Sequence, residues 1–332
     1  MSSYKNVAIV GVSQLQSSTT SLTNTSKASG STGKIIFNAL ASKNFTITVL
    51  ARKESKAIFP ANVKVRPTDF SEDELTEALK GQDVLISALG VEGFDQQQKL
   101  VDAAVRAGVK RFLPSEFSSS SEDPVVLELL PLFEVKKNLI DYLKSKEKDG
   151  LSWTGLATGL LFDWVSCSKF CYSQSRDADN EQGIANGFLG YDIKNRTAKI
   201  WDDGNKKFTL TNEEQLGQAV VSTLEHPDET TNRYLYVYSV VTTQNEILQS
   251  LETATGANWT VEKTTTDAEI AEARKRLSAG DFSGGFILVH ALTYGNTEGL
   301  RANYAEGKNS GNDILGIEIE GVDETVERVV GN

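Results

Sequence analysis

A chain of 332 residues is long enough to bury a sizeable core, as one two-lobed unit or as two domains. With 39% hydrophobic and 24% charged residues it has an ordinary globular composition, neither fibrous nor disordered. A net charge of −11 and a pI near 4.9 speak against direct nucleic-acid binding and against an anionic membrane surface, since both need a basic face.

No long apolar span is present for a membrane helix, and the N-terminus lacks the basic and then apolar pattern of a signal peptide. A cytoplasmic protein is therefore expected. The two cysteines, Cys167 and Cys171, stand four apart on an expected helix with no nearby histidine. That set does not complete a zinc site, so reduced thiols and no metal are expected.

Asn6-Val-Ala-Ile-Val10 reads as a buried parallel strand that turns at Gly11. The next 16 residues, Val12 to Lys27, include nine Ser or Thr. Ala28-Ser-Gly-Ser-Thr-Gly33 then leads into the apolar-faced helix Lys34 to Leu40 and a second strand, Phe45 to Leu50. With residues 12–27 removed, Gly11 joins Ala28 and a G-x-x-G-x-x-G loop stands between strand and helix. The first glycine of such a loop turns the chain, the second admits a pyrophosphate, and the third lets the helix pack on the strand. Gly11, Ser29, Gly30, Ser31, Thr32 and Gly33 are thus candidate cofactor-binding residues, backed by the free N–H groups of a helix N-terminus. A P-loop is excluded, because Ala28 and Ile35 occupy the positions of its first glycine and its Ser or Thr.

Residues 12–27 admit two readings. A Ser/Thr-rich surface loop costs little closure entropy. The preferred reading is an unspliced in-frame intron: Val12-Ser13 is encodable by GTGAGT, Leu22-Thr23-Asn24 by a branch-type CTAAC, and Lys27 by AAG. On either reading the fold is expected to survive, with cofactor binding by the chain as written weak or lost.

The second strand ends at Ala51-Arg52-Lys53. An acidic residue there would accept the ribose hydroxyls of NAD, whereas Arg52 and Lys53 suit the 2′-phosphate of NADP(H). Val63 to Asp69 fits a third strand, with Asp69 near the adenine and Phe70 covering it. Ser71 and Glu74 have capping-box spacing ahead of the helix that runs to Leu79. Asp83 to Gly90 is a fourth strand, and Ser87, Ala88 and Leu89 at its carboxyl end are candidate cofactor contacts. Gln96 to Ala107 is a helix, Val109 to Pro114 a fifth strand, and Ser118 to Asp123 a polar, mobile loop or lid. Phe133 to Ser145 is a lysine-rich helix, and Leu151 to Ala157 a sixth strand. Beyond it, Thr211 caps a helix to Leu224, Tyr234 to Ser239 is a strand, and Thr242 to Thr255 and Asp267 to Leu277 are helices. His290 reads as a satisfied core residue. Strand–helix alternation predicts an α/β Rossmann-type doubly wound parallel sheet with a smaller C-terminal α/β substrate lobe. The expected division is residues 1–160 as the NAD(P)-binding part and 161–332 mainly as the substrate lobe, some segments returning to the sheet.

Several stretches carry a family resemblance: Val7–Gly11 with Ala28–Gly33, Val49–Arg52, Leu79–Ser87, Ala103–Phe117 and Trp153–Asp163. The most specific is Ala-Gly-Val-Lys-Arg-Phe-Leu-Pro-Ser-Glu-Phe, ending at Phe117. On these residues the chain resembles the NmrA-like family, and within it the isoflavone reductase-like branch of atypical short-chain dehydrogenases found in filamentous fungi. The resemblance spans the chain, more weakly after Gly204. It implies an NADPH-binding lobe, a substrate cleft between lobes and hydride transfer to a small aromatic or conjugated molecule. It also implies a lone lysine on the helix after the fifth strand in place of Tyr-x-x-x-Lys. The Phe-x-x-Lys match puts that role on Lys136, or on Lys137 if the register slips by one. The alternative that the resemblance leaves open is an NADP(H)-binding redox sensor that does not turn over substrate and binds a transcription factor.

Overall fold

The structure, a computed structural model, describes residues 4–12, 31–55, 57–163, 184 and 187–331. The first half alternates as the sequence predicts: β1 (Asn6–Val10), α1 (Ser31–Ala41), β2 (Thr46–Arg52), β3 (Lys64–Thr68), α2 (Glu72–Leu79), β4 (Val84–Ser87), α3 (Gln97–Ala107), β5 (Arg111–Leu113), α4 (Pro124–Leu129), α5 (Glu134–Lys146) and β6 (Ser152–Ala157). Seven further strands follow: β7 (Leu160–Leu161), β8 (Tyr191–Asp192), β9 (Thr197–Trp201), β10 (Phe208–Thr211), β11 (Arg233–Tyr236), β12 (Val240–Thr242) and β13 (Thr260–Thr264).

Seven strands form one sheet in the order β3-β2-β1-β4-β5-β6-β11, every neighbouring pair parallel. The sequence order reverses between β1 and β4, and the crevice at such a switch point is where open α/β sheets bind ligands. A sheet of this kind must be covered on both faces, and the alternation of the strands shows it. Val7 and Ile9 of β1 and Val84 and Ile86 of β4 enter one core with Ile36, Phe37 and Leu40 of α1 and Val220 and Leu224 of the helix Glu213–Glu225. Ala8, Val10 and Leu85 face the opposite core, among Leu75, Leu100, Val101, Leu139 and Ile140 of α2, α3 and α5. Pro67 is accommodated because β3 is the sheet edge, where a missing N–H costs no ladder bond.

The remaining strands make two small sheets, β12-β10-β7 and β13-β9-β8. They enclose a second core with Phe162, Tyr191, Phe208, Trp201 and Trp259, closed by the helices Gln244–Thr255, Ser283–Tyr294 and Val322–Val330. The fold is thus the expected doubly wound parallel sheet with an additional, smaller α/β part. Thr243 caps its helix with a complete reciprocal box to Glu246. No described helix is long and apolar enough to cross a membrane.

Four local expectations are corrected. Asn212, not Thr211, is the N-terminal cap of Glu213–Glu225, because the Thr211 hydroxyl donates to the Thr158 carbonyl at 2.6 Å instead. Ser71 accepts from the Glu74 N–H at 3.5 Å, yet the Glu74 carboxylate turns to the Asp69 N–H at 2.8 Å, so the box there is one-sided. His290 is only half satisfied: its ring hydrogen-bonds the Phe188 backbone, but its buried Nε2 has no partner among the described residues. Burial holds that imidazole neutral, its pKa pushed down to about 4. Ser118 to Asp123 is neither exposed nor lid-like, as described next.

Candidate functional site

The expected cofactor loop is described at its two ends; residues 13–30, with most of the Val12–Lys27 insert and with Ser29 and Gly30, lie outside the described residues, as do Trp164, Cys167 and Cys171. Gly11 follows β1 with φ of +90°, and a Cβ built on it would lie 2.3 Å from the Ala88 carbonyl oxygen. A Cβ on Gly33 would lie 2.4 Å from the Gly11 carbonyl oxygen. Both contacts are with backbone, which cannot swing away, so both positions require glycine. Ser31, Thr32 and Gly33 open α1, whose first turn carries no acidic side chain to offset the positive end of its dipole. Gly11→Ala is expected to destabilise the fold by on the order of 3 kcal/mol through positive φ and overpacking. A thermal melt should show this as a fall of roughly 5–10 °C in Tm.

Ser87, Ala88 and Leu89 stand beside Gly11 at the carboxyl end of β4. Val10 pairs with Ser87, and the Ala88 N–H donates to the Val10 carbonyl at 2.9 Å. Ser87 is fully buried, and its hydroxyl has no partner among the described residues. The Leu89 carbonyl accepts from the Ser115 hydroxyl at 2.7 Å, tying β4 to the end of β5. The crevice has the features that a dinucleotide uses: a tight glycine turn after β1, α1 packed against that turn with its N-terminus at the switch point, and an orphaned hydroxyl beside them.

Of the two cations ending β2, Lys53 is engaged by acids. Its amine meets Asp69 at 3.4 Å and also bonds Glu74. The hydroxyl and N–H of Ser71, helped by Lys53, hold Asp69 down to about 2. Arg52 is exposed and makes no side-chain hydrogen bond or ion pair among the described residues. Phe70 has a φ of +62° and packs its ring toward the α2–α3 core.

Lys136 lies on the inner face of α5, 4% exposed. Its amine donates to the Glu116 carbonyl at 2.8 Å and to the Ser118 hydroxyl at 2.7 Å. The Phe94 and Phe133 rings flank it, with centroids 5.1 and 4.7 Å away. Burial pushes the amine down to about 8, against the pull of Glu116. Lys137 points outward, into ion pairs with Asp141 at 2.6 Å and Glu122 at 3.7 Å. The structure therefore separates the two lysines: Lys136 belongs to the carboxyl edge of the sheet, Lys137 to the surface.

The stretch expected as a mobile loop forms the wall behind Lys136. Ser119, Ser120, Ser121 and Asp123 are all buried. The Ser120 N–H donates to the Tyr304 hydroxyl at 3.2 Å and the Ser121 N–H to the Tyr234 hydroxyl at 3.1 Å, while Asp123 accepts from Val125 and Arg301. Glu116, 1% exposed, accepts through Oε2 from Tyr234 at 2.5 Å and from Ser121 at 2.8 Å. Polarity predicts a solvated loop only when the partners are unknown. Here the tyrosines that satisfy it come from 113 to 184 residues further along the chain.

A parallel dinucleotide-type sheet, a glycine-lined crevice at its switch point and a buried lysine at the same edge define a nucleotide-dependent oxidoreductase architecture. The description of the NmrA-like family matches residues 25–273, and the chain belongs to that family. It is 33% identical over 307 residues to the oxidoreductase aprR of Aspergillus flavus, covering 91% of this chain and 96% of that one. It is 27% identical over 245 residues to an isoflavone reductase homolog of Solanum tuberosum, covering 69% and 73% of the two chains. In fold it is similar to leucoanthocyanidin reductase from Vitis vinifera in its binary complex with NADPH, with a TM-score of 0.70 at 18% identity over 98% of this chain and 100% of that one.

Proposed function

We propose that this oxidoreductase is an NADPH-dependent reductase of a small aromatic or conjugated molecule. The observation that carries the reading is Lys136: a buried amine, held by one carbonyl and one hydroxyl, between two aromatic rings at the ligand-binding edge of the sheet. The relatives named as an oxidoreductase and as an isoflavone reductase homolog support it.

NADPH, when bound, supplies the hydride. The chain's own residues do the rest. Gly11 makes the tight turn, Gly33 packs α1 against it, and the N-terminus of α1 so placed meets the pyrophosphate's charge. Arg52 pairs the ribose 2′-phosphate, with Lys53 already matched by Asp69 and Glu74. Ser87, Ala88 and Leu89 form the floor beside the reacting ring. Lys136 in its ammonium form stabilises the negative charge that develops on the substrate oxygen and passes a proton to it. Phe94 and Phe133 keep water away, which strengthens that interaction.

The test is substrate-dependent loss of NADPH absorbance with a panel of aromatic enones and ketones, run on the chain and on a form lacking residues 12–27. If neither form oxidises NADPH although the shortened form binds it, the reductase reading fails and the redox-sensor alternative, with a transcription factor as partner, takes its place. Arg52→Glu is expected to raise the KM for NADPH roughly 10- to 100-fold and to leave that for NADH nearly unchanged, the loss of one charge-assisted phosphate contact. Equal effects on both cofactors would remove Arg52 from the phosphate site.

A further inference from the structure

Glu116 is a buried carboxylate that the reaction as described does not use. It touches Lys136 through its main chain. The main-chain carbonyl accepts from the Lys136 amine at 2.8 Å. The side chain turns the other way, and its Oε2 is clamped by the Tyr234 and Ser121 hydroxyls at 2.5 and 2.8 Å. Oε1 is buried with no partner among the described residues. A polar atom left bare in a low-dielectric interior is costly, and a structural role alone would favour glutamine or a fully bonded acid. Among the described residues, the other groups around Lys136 are uncharged or turned away. Phe94 and Phe133 supply rings, and β11 supplies the Tyr234 phenol, which burial and Glu116 keep protonated. On α5 itself Lys137 is matched by Glu122 and Asp141, and across the wall Asp123 is committed to backbone N–H groups. Among the described residues Glu116, bonded through its own carbonyl to the amine at 2.8 Å, is the acid that opposes the effect of burial on Lys136.

We propose that Glu116 is the positioning residue of this site: its carbonyl fixes the Lys136 amine at the sheet edge, and its carboxylate keeps that amine cationic near neutral pH. The proposal rests on the reading of Lys136 as the group that meets the substrate. Burial by itself would strip the proton from a lysine enclosed by two phenylalanines. A buried negative charge close by, but not in direct contact, opposes that without covering the amine, so the ammonium stays free to engage an oxyanion.

The test follows the titration of Lys136 by NMR in isotopically lysine-labelled protein, with Lys136→Arg identifying its resonance, beside the pH–rate profile of reduction. In Glu116→Gln the Lys136 titration is expected to move to lower pH by roughly one pH unit, the effect of losing one nearby opposite charge. The alkaline limb of the rate profile should move with it while the NADPH Kd stays the same. A Lys136 titration identical to the parent's, with only a lower Tm, would overturn the proposal and leave Glu116 a structural residue. Should Glu116→Gln fail to fold, Tyr234→Phe serves. It strips one donor from Oε2 and keeps the charge, so the Lys136 titration is expected to move to higher pH, and no movement or a downward one counts against the proposal. The NMR readout needs no turnover. A chain that reduces nothing but shows the Glu116→Gln shift would sink the reductase reading alone.

Discussion

In the form lacking residues 12–27, Lys136→Met is expected to cut reduction sharply and, in the same protein, to raise the melting temperature. The loss in turnover should be roughly 10²- to 10⁴-fold, the range for removing one general acid, with the NADPH Kd little changed. The gain in stability follows from burial. The amine is pushed down to about 8 from its ordinary value of 10.5, so the folded state binds the lysine proton less tightly than the unfolded chain does. Below pH 8 both states carry the proton, and burying it costs the fold on the order of 1–3 kcal/mol. That cost is relieved as pH rises from about 8 toward the unfolded value, so the stability advantage of methionine should shrink over the same range. The acceptors left behind are not stranded, because the Ser118 hydroxyl itself donates to the Glu116 carbonyl at 2.7 Å. Calorimetric melts at pH 7 and pH 10 with steady-state rates check both halves. Unchanged turnover would refute the role of Lys136, and a large loss of stability at pH 7 would show that the lysine holds the fold together.

Much of this site was legible along the chain, and where it was not the reason is physical. Gly11 and Gly33 are dictated by backbone contacts that any β-α unit of this kind makes, so a spacing rule finds them even across an insert. The helical period also carries a signal for the burial of Lys136 that the family resemblance does not use. Lys136, Ile140 and Leu143 fall at helical intervals on one face of α5, whereas Lys137, Asp141 and Lys144 fall on the other. Counting four lysines in the segment hides that difference; the period reveals it. Lys53 and Glu116 are different. Local sequence shows a cation after a strand and an acid after a proline. It does not show that Asp69 and Glu74 converge on the first, or that Tyr234 arrives from β11 to clamp the second. Those partners are set by tertiary packing, and a pattern of period 2 or 3.6 carries no information about them.

The second large effect concerns residues 12–27. The turn after β1 and the start of α1 touch, since a Cβ on Gly33 would strike the Gly11 carbonyl, so the insert leaves both ends of the loop where a short connection would put them. Lengthening the connection costs only about 1–2 kcal/mol in closure entropy, which the fold can bear. Cofactor binding is less forgiving. A pyrophosphate needs a short, fixed turn whose N–H groups all aim at it, and Ser29 and Gly30 must reach that geometry from the far end of a 16-residue insertion. The family match, beginning at residue 25, leaves β1, Gly11 and residues 12–24 outside it. Titration of NADPH by tryptophan quenching or calorimetry is expected to give binding in the micromolar range for the protein lacking Val12 to Lys27, and binding at least roughly 100-fold weaker for the full chain. In that case the insert is a splicing remnant or an off-switch, and reduction belongs to the shortened form. Equal affinities would make it a harmless surface loop, and transcripts that run through this point with no spliced form would agree. Binding by neither form would remove the dinucleotide site itself, because Gly11, Gly33 and Ser87 would then line the switch point of the sheet without a phosphate or a ring to accommodate.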